Sequence, residues 1–179
     1  MIAIARAAEA DIPFILETER LPGYEAFIGR SDEAVHRARM ENPRCAHFIA
    51  RHGERPVGFA ILRDWGSADG VTSLMRIAMT EPGQGNGRAF LRRLLDLVFT
   101  ETTCHRFWLG QFPDNARARH VYQSLGFVAE GVARGSVFLF GRHHDELILS
   151  ILRPEWAVAR LAQTPLVSNA ANVIGPAPV

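Results

Sequence analysis

Hydrophobic and polar positions follow two different periods along the chain, and these periods predict helices and strands in alternation. The helical period is clearest after residue 87, where apolar side chains recur on one face at Phe90, Leu91, Leu94, Leu95, Val98 and Phe99. Short apolar runs bounded by Gly, Pro or Asn predict strands before and after this helix. The pattern therefore predicts a sheet combined with helices rather than an all-helical or all-strand chain.

The predicted elements come in an order typical of a mixed sheet. The predicted strands are Ile2 to Arg6, Ala46 to Arg51, Val57 to Arg63, Val71 to Thr80, His105 to Phe112, Phe127 to Arg134, Val137 to Phe140 and Asp145 to Leu152. The predicted helices are Ile12 to Arg20, Ser31 or Asp32 to Asn42, about Gly87 to Phe99, and Asp114 or Asn115 to Gly126, with a final turn opening at Arg153. The fold class is α/β (mixed α+β), with a central mixed sheet and helices on both faces.

The length of 179 residues favours one domain. We expect that domain to span residues 1–160. Residues 161–179 form a C-terminal tail rich in Ala, Pro, Val and Asn, and we expect the tail to pack on the body or on a second subunit. A homodimer therefore stays open as an assembly state.

Composition excludes several partner classes and chemistries. The net charge is +1 and the pI is about 7.9, which does not favour nucleic-acid binding. All 20 basic residues are Arg, so lysine chemistry, including a Walker lysine, is excluded. No apolar run approaches the ~20 residues that span a bilayer, so no membrane association is expected. Cys45 and Cys104 without a visible signal peptide indicate free thiols and a cytoplasmic protein.

The first chemical signal is a glycine-rich loop, Gln84-Gly85-Asn86-Gly87-Arg88-Ala89, between a predicted strand and a predicted helix. Such a loop points backbone N–H groups at a ligand, and the helix N-terminus adds partial positive charge. It can therefore bind phosphate without lysine. No Lys follows the last Gly, and the spacing fails the dinucleotide fingerprint, which argues against a P-loop and a nucleotide-binding oxidoreductase. A tight turn capped by a helix is the structural alternative.

A second motif follows the next strand, and the two motifs together resemble the GNAT superfamily of acyl-CoA-dependent N-acyltransferases. Gln84, Gly87 and Ala89 match that family's phosphate loop, and its later motif is matched by Asn115, Ala118, Tyr122, Gly126 and Phe127. The resemblance extends from about residue 2 to 156. Glu130-Gly131, Arg134 and the segment from Asp145 to Trp156 resemble the branch that acetylates ribosomal-protein N-termini.

The resemblance implies acetyl-CoA as co-substrate and a sheet splayed between its fourth and fifth strands. It implies that the pantetheine arm pairs with the opened strand edge, that a backbone N–H near Met79 polarises the thioester carbonyl, and that Tyr122 protonates the departing thiolate. The implied catalytic residues are Tyr122 and Met79. The implied cofactor-binding residues are Ile77, Ala78, Met79, Gln84, Gly85, Asn86, Gly87, Arg88, Ala89, Asn115, Ala118 and Tyr122.

Three of these assignments have alternatives in the sequence itself. The alternative for Asn115 is a helix cap with no ligand contact. The alternative for Tyr122 is a core aromatic, because positions 118, 121, 122 and 125 share one helix face. Arg88, Arg117 and Arg119 are candidates for the 3′-phosphate of coenzyme A, although at least one is expected to be plain surface.

The general base is not identified by the sequence. The strand from Val71 to Thr80 has no carboxylate, although many GNAT enzymes place a Glu there. Ser73 could order a water molecule, and candidate bases elsewhere are Asp64, Glu25, His36, His105 and Glu130. A weak base suits an α-amine, with a pKa near ~8, better than a lysine amine near ~10.4.

The acceptor surface is expected on the early helices and the late hairpin, and its chemistry stays open. Tyr24, Phe27, Arg30 and Arg39 could line it, as could the hairpin from Arg134 to His144. We expect an N-acetyltransferase that acts by direct attack of a primary amine, either a small molecule or a protein N-terminus. A non-catalytic acyl-CoA-binding sensor on the same fold is the alternative. No metal is expected, because His143, His144 and Asp145 are adjacent and lack ligand spacing.

Overall fold

The computed structural model describes residues 2–139 and 141–163, which form one seven-stranded sheet with helices on both faces. The strand order across the sheet is β1-β2-β3-β4-β5-β7-β6. The strands are β1 (Ile2–Arg6), β2 (Cys45–His52), β3 (Arg55–Arg63), β4 (Val71–Met79), β5 (Arg106–Gln111), β6 (Val128–Leu139) and β7 (Arg142–Leu152). The helices are α1 (Ile12–Glu19), α2 (Glu33–Glu41), α3 (Asn86–Glu101), α4 (Ala116–Gln123) and α5 (Arg153–Gln163).

The predicted fold class is confirmed. β1 to β4 form an antiparallel meander, β4 and β5 are parallel, and β5, β7 and β6 are antiparallel. Each helix and strand predicted from residue 2 to residue 126 is present within a few residues of its predicted bounds. The mixed sheet therefore follows from the periodicity of the sequence.

Three predictions in the last third differ from the structure. The predicted strands from 127–134 and 137–140 are one strand, β6, because register shifts after Ala129 and Ala133 absorb Gly131 and Gly135 without ending the pairing with β7. β7 begins at Arg142 rather than Asp145. The final turn is a helix, α5, whose first residue donates side-chain hydrogen bonds to the carbonyl oxygens of Phe99, Thr102 and Cys104.

The predicted tail lies mainly outside the described residues. α5 reaches Gln163, so the predicted boundary at residue 160 falls within this helix, and residues 164–179 are not described. The division into a domain and a packed tail, and a homodimer, stay predictions. Within residues 2–139 and 141–163, no helix is long and apolar enough to cross a membrane.

Two apolar clusters hold the sheet between its helices. The larger cluster lies on the α3 and α4 face and includes Phe90, Leu94, Phe107 and Tyr122, all at most 9% exposed. The smaller cluster lies on the α1 face and is built around Ile15, Ile49, Phe59, Ile61 and Ala78. Because β4 contributes Leu74 and Met79 to the first cluster and Ala78 to the second, both faces of this strand are anchored at its C-terminal end.

Candidate active site

The fourth and fifth strands separate after a short paired stretch. Residues 71–73 of β4 pair with residues 106–108 of β5, and no pairs follow. β5 stays paired with β7 along its length, and β4 stays paired with β3 as far as Met79. The inner edges of β4 and β5 beyond residues 73 and 108 therefore carry backbone N–H and C=O groups without a partner strand. This gap is the splay that the resemblance implied.

A bulge in β4 lies where the gap opens. Ile61 of β3 pairs with Arg76, but the next residue, Leu62, pairs with Leu74, so Met75 has no partner on β3. An extra residue on one strand bends it and increases its local twist. The bend follows directly after Ser73, which forms the last β4–β5 pair with Trp108. The bulge therefore accounts for the separation of the two strands.

The glycine-rich loop ends at the N-terminus of α3. Gly83 and Gly85 have positive φ angles of 103° and 78°, and Gly85 is the residue before the first helical turn. Ala89 is the first residue of this turn whose N–H donates to a backbone carbonyl, that of Gly85. The preceding helical N–H groups, of residues 86–88, are left for a ligand. At Gly87 an added Cβ would lie 3.4 Å from Cγ of Met79, so the helix start is in contact with the end of β4.

The polar side chains around this loop differ in whether other groups of the protein already engage them. Nε2 of Gln84 donates to Glu81, whose carboxylate is paired with Arg55, so the Gln84 side chain points to the loop itself. A guanidinium nitrogen of Arg117 comes within 3.8 Å of the position of a Cβ at Gly83. Arg88 and Arg119 instead donate to the backbone carbonyls of neighbouring residues, 124 and 113. Of the three arginines predicted for the 3′-phosphate, Arg88 belongs to the loop but donates to residue 124, Arg119 donates to residue 113, and Arg117 is the one whose guanidinium approaches Gly83 next to the loop.

The backbone groups of Met79 are engaged by a tyrosine from the loop between α1 and α2. The hydroxyl of Tyr24 donates to the carbonyl oxygen of Met79 at 2.8 Å and accepts from its N–H at 2.9 Å. Burial raises the pKa of Tyr24, so this hydroxyl stays protonated at neutral pH. The Met79 N–H that was predicted to polarise the thioester therefore already has a partner in the ligand-free protein.

Tyr122 lies in α4 with its ring buried and its hydroxyl free. The ring is 9% exposed and packs against Phe127, with ring centroids 5.7 Å apart. The hydroxyl makes no hydrogen bond to any described residue, and burial raises the pKa of Tyr122 to about 12. Tyr122 and Met79 belong to the same apolar cluster. Tyr122 is therefore both a core aromatic and an available proton donor.

The other predicted residue of α4 acts as a cap in this structure. Oδ1 of Asn115 accepts from the N–H of Ala118 at 3.1 Å, which is the capping role weighed for it above. Ala118 is partly buried against the larger cluster. Sequence reasoning missed Gln111 at the end of β5, which is 7% exposed and whose amide atoms have no hydrogen-bond partner in the described part of the chain. The available signal was a polar residue on the same strand face as Phe107 and Leu109.

The predicted bases are distributed over the molecule rather than gathered at the gap. Asp64 is paired with Arg44 at 2.7 Å, and the N–H of His105 donates to Gly70 at the closed end of the gap. Glu130 accepts from Arg106 at 2.6 Å, which together with Ser150 lowers the pKa of this carboxyl to about 2.

Two more of these candidates lie on the α1–α2 side. His36 is fully buried beside Glu19, with 3.2 Å between Nε2 and Oε1. Glu25 is exposed next to Tyr24, and its carboxylate accepts from the N–H of Gly23 at 2.7 Å.

None of the five proposed carboxylates and imidazoles reaches the open part of β5 through a contact among the described residues. The residue that does so is Glu146, which sequence reasoning missed and whose signal was Gly110 in the middle of a strand.

Comparison with known proteins agrees with this geometry. A family model described as "Acetyltransferase (GNAT) family" matches residues 13–127. The chain belongs to the GNAT acetyltransferase family. The matched residues include β4, β5 and the glycine-rich loop, so the gap between the two strands lies within the region that the family model covers.

Curated relatives match only part of the chain. The spermidine N(1)-acetyltransferase of Vibrio cholerae is 34% identical over 80 residues, 45% of this chain and 46% of the relative. The putative ribosomal N-acetyltransferase YdaF of Bacillus subtilis is also 34% identical over 80 residues, 45% of this chain and 44% of the relative. The alignments thus span less than half the length of these relatives.

Solved GNAT structures share the fold over most of the chain. The spermidine N-acetyltransferase of Vibrio cholerae, in complex with CoA and spermine, has a TM-score of 0.76 at 20% identity, covering 87% of this chain and 98% of that one. The ribosomal-protein-S18-alanine N-acetyltransferase of Escherichia coli has a TM-score of 0.69 at 23% identity, covering 85% and 94%. At these identities the likeness concerns the fold alone.

Proposed function

We propose that this GNAT enzyme transfers the acetyl group of acetyl-CoA to a primary amine by direct attack within a ternary complex. The observation that carries the proposal is the gap between β4 and β5, which ends beside the N-terminus of α3. A cofactor with a diphosphate at one end and amide groups along its arm has complementary groups for both features. The acyl acceptor then approaches from the opposite face of the sheet.

The backbone of the glycine-rich loop and of β4 supports this binding of coenzyme A. The N–H groups of residues 86–88 and the partial positive charge of the helix N-terminus favour the diphosphate, and Arg117 lies close enough to add a full charge. The amides of the pantetheine arm pair with the open edge of β4 as an added strand would. The Ile77, Ala78 and Met79 backbone provides that edge.

The chemistry needs a polarised carbonyl and a protonated leaving group. The N–H of Met79, once Tyr24 releases it, points into the gap and can donate to the thioester oxygen as negative charge develops there. The Tyr122 hydroxyl, protonated because its pKa is about 12, can donate to the sulfur as the C–S bond breaks.

The cysteines support direct attack rather than an acyl-enzyme. Cys45 and Cys104 are both buried, and burial raises the pKa of each thiol, so neither is present as the thiolate that would accept an acetyl group. No lysine is present to accept one either. The amine must then attack the bound thioester itself.

The relatives support two classes of acceptor. The curated and solved relatives include acetyltransferases named for spermidine, for ribosomal protein and for an alanine of ribosomal protein S18. All of these acceptors present a primary amine that is cationic at neutral pH. We propose a cationic primary amine, of a polyamine or of a protein N-terminus, as the acceptor here.

Release of free thiol from acetyl-CoA tests this proposal. The full-length enzyme is incubated with acetyl-CoA and either spermidine or a peptide with a free N-terminal alanine, and thiol is measured over time. We expect amine-dependent thiol release with at least one acceptor and a product mass increased by one acetyl group. Tight acetyl-CoA binding without turnover on a broad amine panel would instead support the sensor alternative.

A further inference from the structure

The side chain of Glu146 occupies the place of a missing side chain on β5. An ideal Cβ added to Gly110 would lie 2.5 Å from Oε1 of Glu146 and 2.8 Å from its Cδ, distances that real contacts do not permit. Gly110 does not have a positive φ, so what its lack of a side chain provides here is space for the carboxylate rather than backbone freedom. The carboxylate therefore lies directly against the backbone of β5.

This part of β5 borders the gap. Gly110 lies two residues past Trp108, the last residue of β5 that pairs with β4. Phe107 and Leu109 point into the cluster on the α3 face, so Gly110 faces the opposite side, where the loop between α1 and α2 lies. Glu146 thus places its carboxylate beside the open gap and on the face opposite α3.

Glu146 also lacks a counter-charge. Oε2 accepts from the hydroxyl of Ser136 at 2.8 Å, and no described arginine or histidine forms an ion pair with this carboxylate. Two other shielded carboxylates are paired with arginines: Glu19 with Arg76 and Asp11 with Arg51. A half-buried carboxylate without a cation favours a cationic ligand, because the charge is costly to desolvate alone.

The surroundings of Glu146 form an aromatic wall. His144 lies on the same face of β7 as Glu146, and its ring contacts Phe112 with centroids 5.1 Å apart. Phe112 in turn contacts Phe27 of the α1–α2 loop at 6.4 Å. That loop also carries Tyr24, which contacts Met79 on the other side of the gap. The loop therefore spans the gap from the proposed thioester site to the wall beside Glu146.

We propose that Glu146 binds the ammonium group of the acceptor and acts as the general base. This inference rests on the proposed acetyl transfer. One proton moves from the ammonium nitrogen to the Glu146 carboxylate, and the neutral amine forms the C–N bond to the thioester carbon. The C–S bond then breaks and the thiolate takes a proton from Tyr122. The Tyr122 phenolate takes one of the two protons left on the nitrogen, which gives the neutral amide and restores the phenol. Glu146 releases its proton to solvent. Overall one proton is released for each amide formed.

A Glu146→Gln variant tests the proposed role as a base, because Gln has nearly the same shape as Glu but carries no negative charge. We expect kcat/KM for the amine to fall by about 10²-fold at pH 7, in the range found for general bases, with KM for acetyl-CoA unchanged. The deficit should shrink as pH rises toward the amine pKa, because free amine then no longer needs a base. Glu54→Gln, an exposed carboxylate in the β2–β3 turn, is the matched control and should behave as wild type. Equal kcat/KM of Glu146→Gln and wild type from pH 6.5 to 9.5 would overturn the proposal.

Two further measurements separate this proposal from the proposed function. Gly110→Ala must displace the carboxylate without removing charge, so it should lower kcat/KM while acetyl-CoA binding stays intact. Calorimetric titration of the CoA-bound enzyme with spermidine or the alanine peptide does not depend on turnover. We expect Glu146→Gln to weaken binding at least tenfold relative to wild type. Absent turnover in wild type contradicts the proposed function, whereas equal amine affinity in wild type and variant contradicts the role of Glu146 alone.

Discussion

At the scale of single residues, the site depends on groups whose partners are backbone or absent. Tyr122 has a buried ring and a hydroxyl without a partner among the described residues, and the proposed role of Met79 uses its main chain rather than its side chain. Both roles were predicted through the family resemblance and stay predictions. Tyr122 carries a reactive side chain within the matched motif, whereas a backbone donor leaves no trace in residue type. Glu146 was missed because its role depends on a glycine on a neighbouring strand.

Replacing Tyr122 by Phe tests the proposed acid. We expect kcat to fall by about 10²-fold, because the thiolate would leave without a proton donor, while KM for acetyl-CoA changes little. The hydroxyl has no partner among the described residues, so thermal unfolding of Tyr122→Phe should match wild type. Steady-state kinetics of both proteins measure this. An unchanged kcat would remove the acid role and leave Tyr122 as core packing.

At the scale of elements, the relation between strands and loops decides whether the gap is open. The sequence predicted β4, β5, α3 and α4 well, because apolar periods and caps are local signals. The bulge at Met75 and the continuous β6 were not predictable, since both depend on pairing between strands distant in sequence. The contact of the α1–α2 loop with Met79 joins residues that are 55 positions apart and likewise has no local signal.

Replacing Tyr24 by Phe tests whether its hydroxyl competes with acetyl-CoA for the backbone groups of Met79. The variant lacks the hydroxyl that holds both backbone groups of Met79, so acetyl-CoA no longer has to displace it. Since a net hydrogen bond contributes about 0.5–1.5 kcal/mol, we expect the Kd for acetyl-CoA to fall roughly two- to tenfold. Isothermal titration calorimetry with wild type and Tyr24→Phe measures it. Weaker binding in the variant would mean that the hydroxyl contacts the cofactor instead of competing with it.

At the scale of the whole molecule, one sheet with a cluster on each face holds the gap in place and sets the pH dependence of folding. His47 of β2 is buried, and burial, with the nearby charges of His36 and Arg39, lowers its pKa to about 4. In the unfolded chain this pKa is near ~6.5, so the folded state binds fewer protons between these values. The stability from neutral His47 is full above pH ~6.5 and is lost as the pH falls toward 4.

Urea unfolding at pH 7 and pH 4.5 measures this loss. We expect wild type to be less stable at the lower pH by up to about 3 kcal/mol, and His47→Leu to show a smaller difference. His120→Gln, on the surface of α4, is the control and should keep the wild-type difference. Loss of the Glu130 interactions follows at lower pH, because the pKa of that group is about 2. An equal pH dependence in wild type and His47→Leu would show that other groups dominate.

The most direct test of the whole account is amide hydrogen exchange of the full chain with and without acetyl-CoA. If the open edge of β4 and the N-terminus of α3 bind the cofactor, exchange should slow in residues 74–79 and 85–89. Exchange in β1 and β2, on the far side of the sheet, should stay unchanged. Unchanged exchange in both β4 and the glycine-rich loop at saturating acetyl-CoA, or protection confined to other elements, would contradict the account.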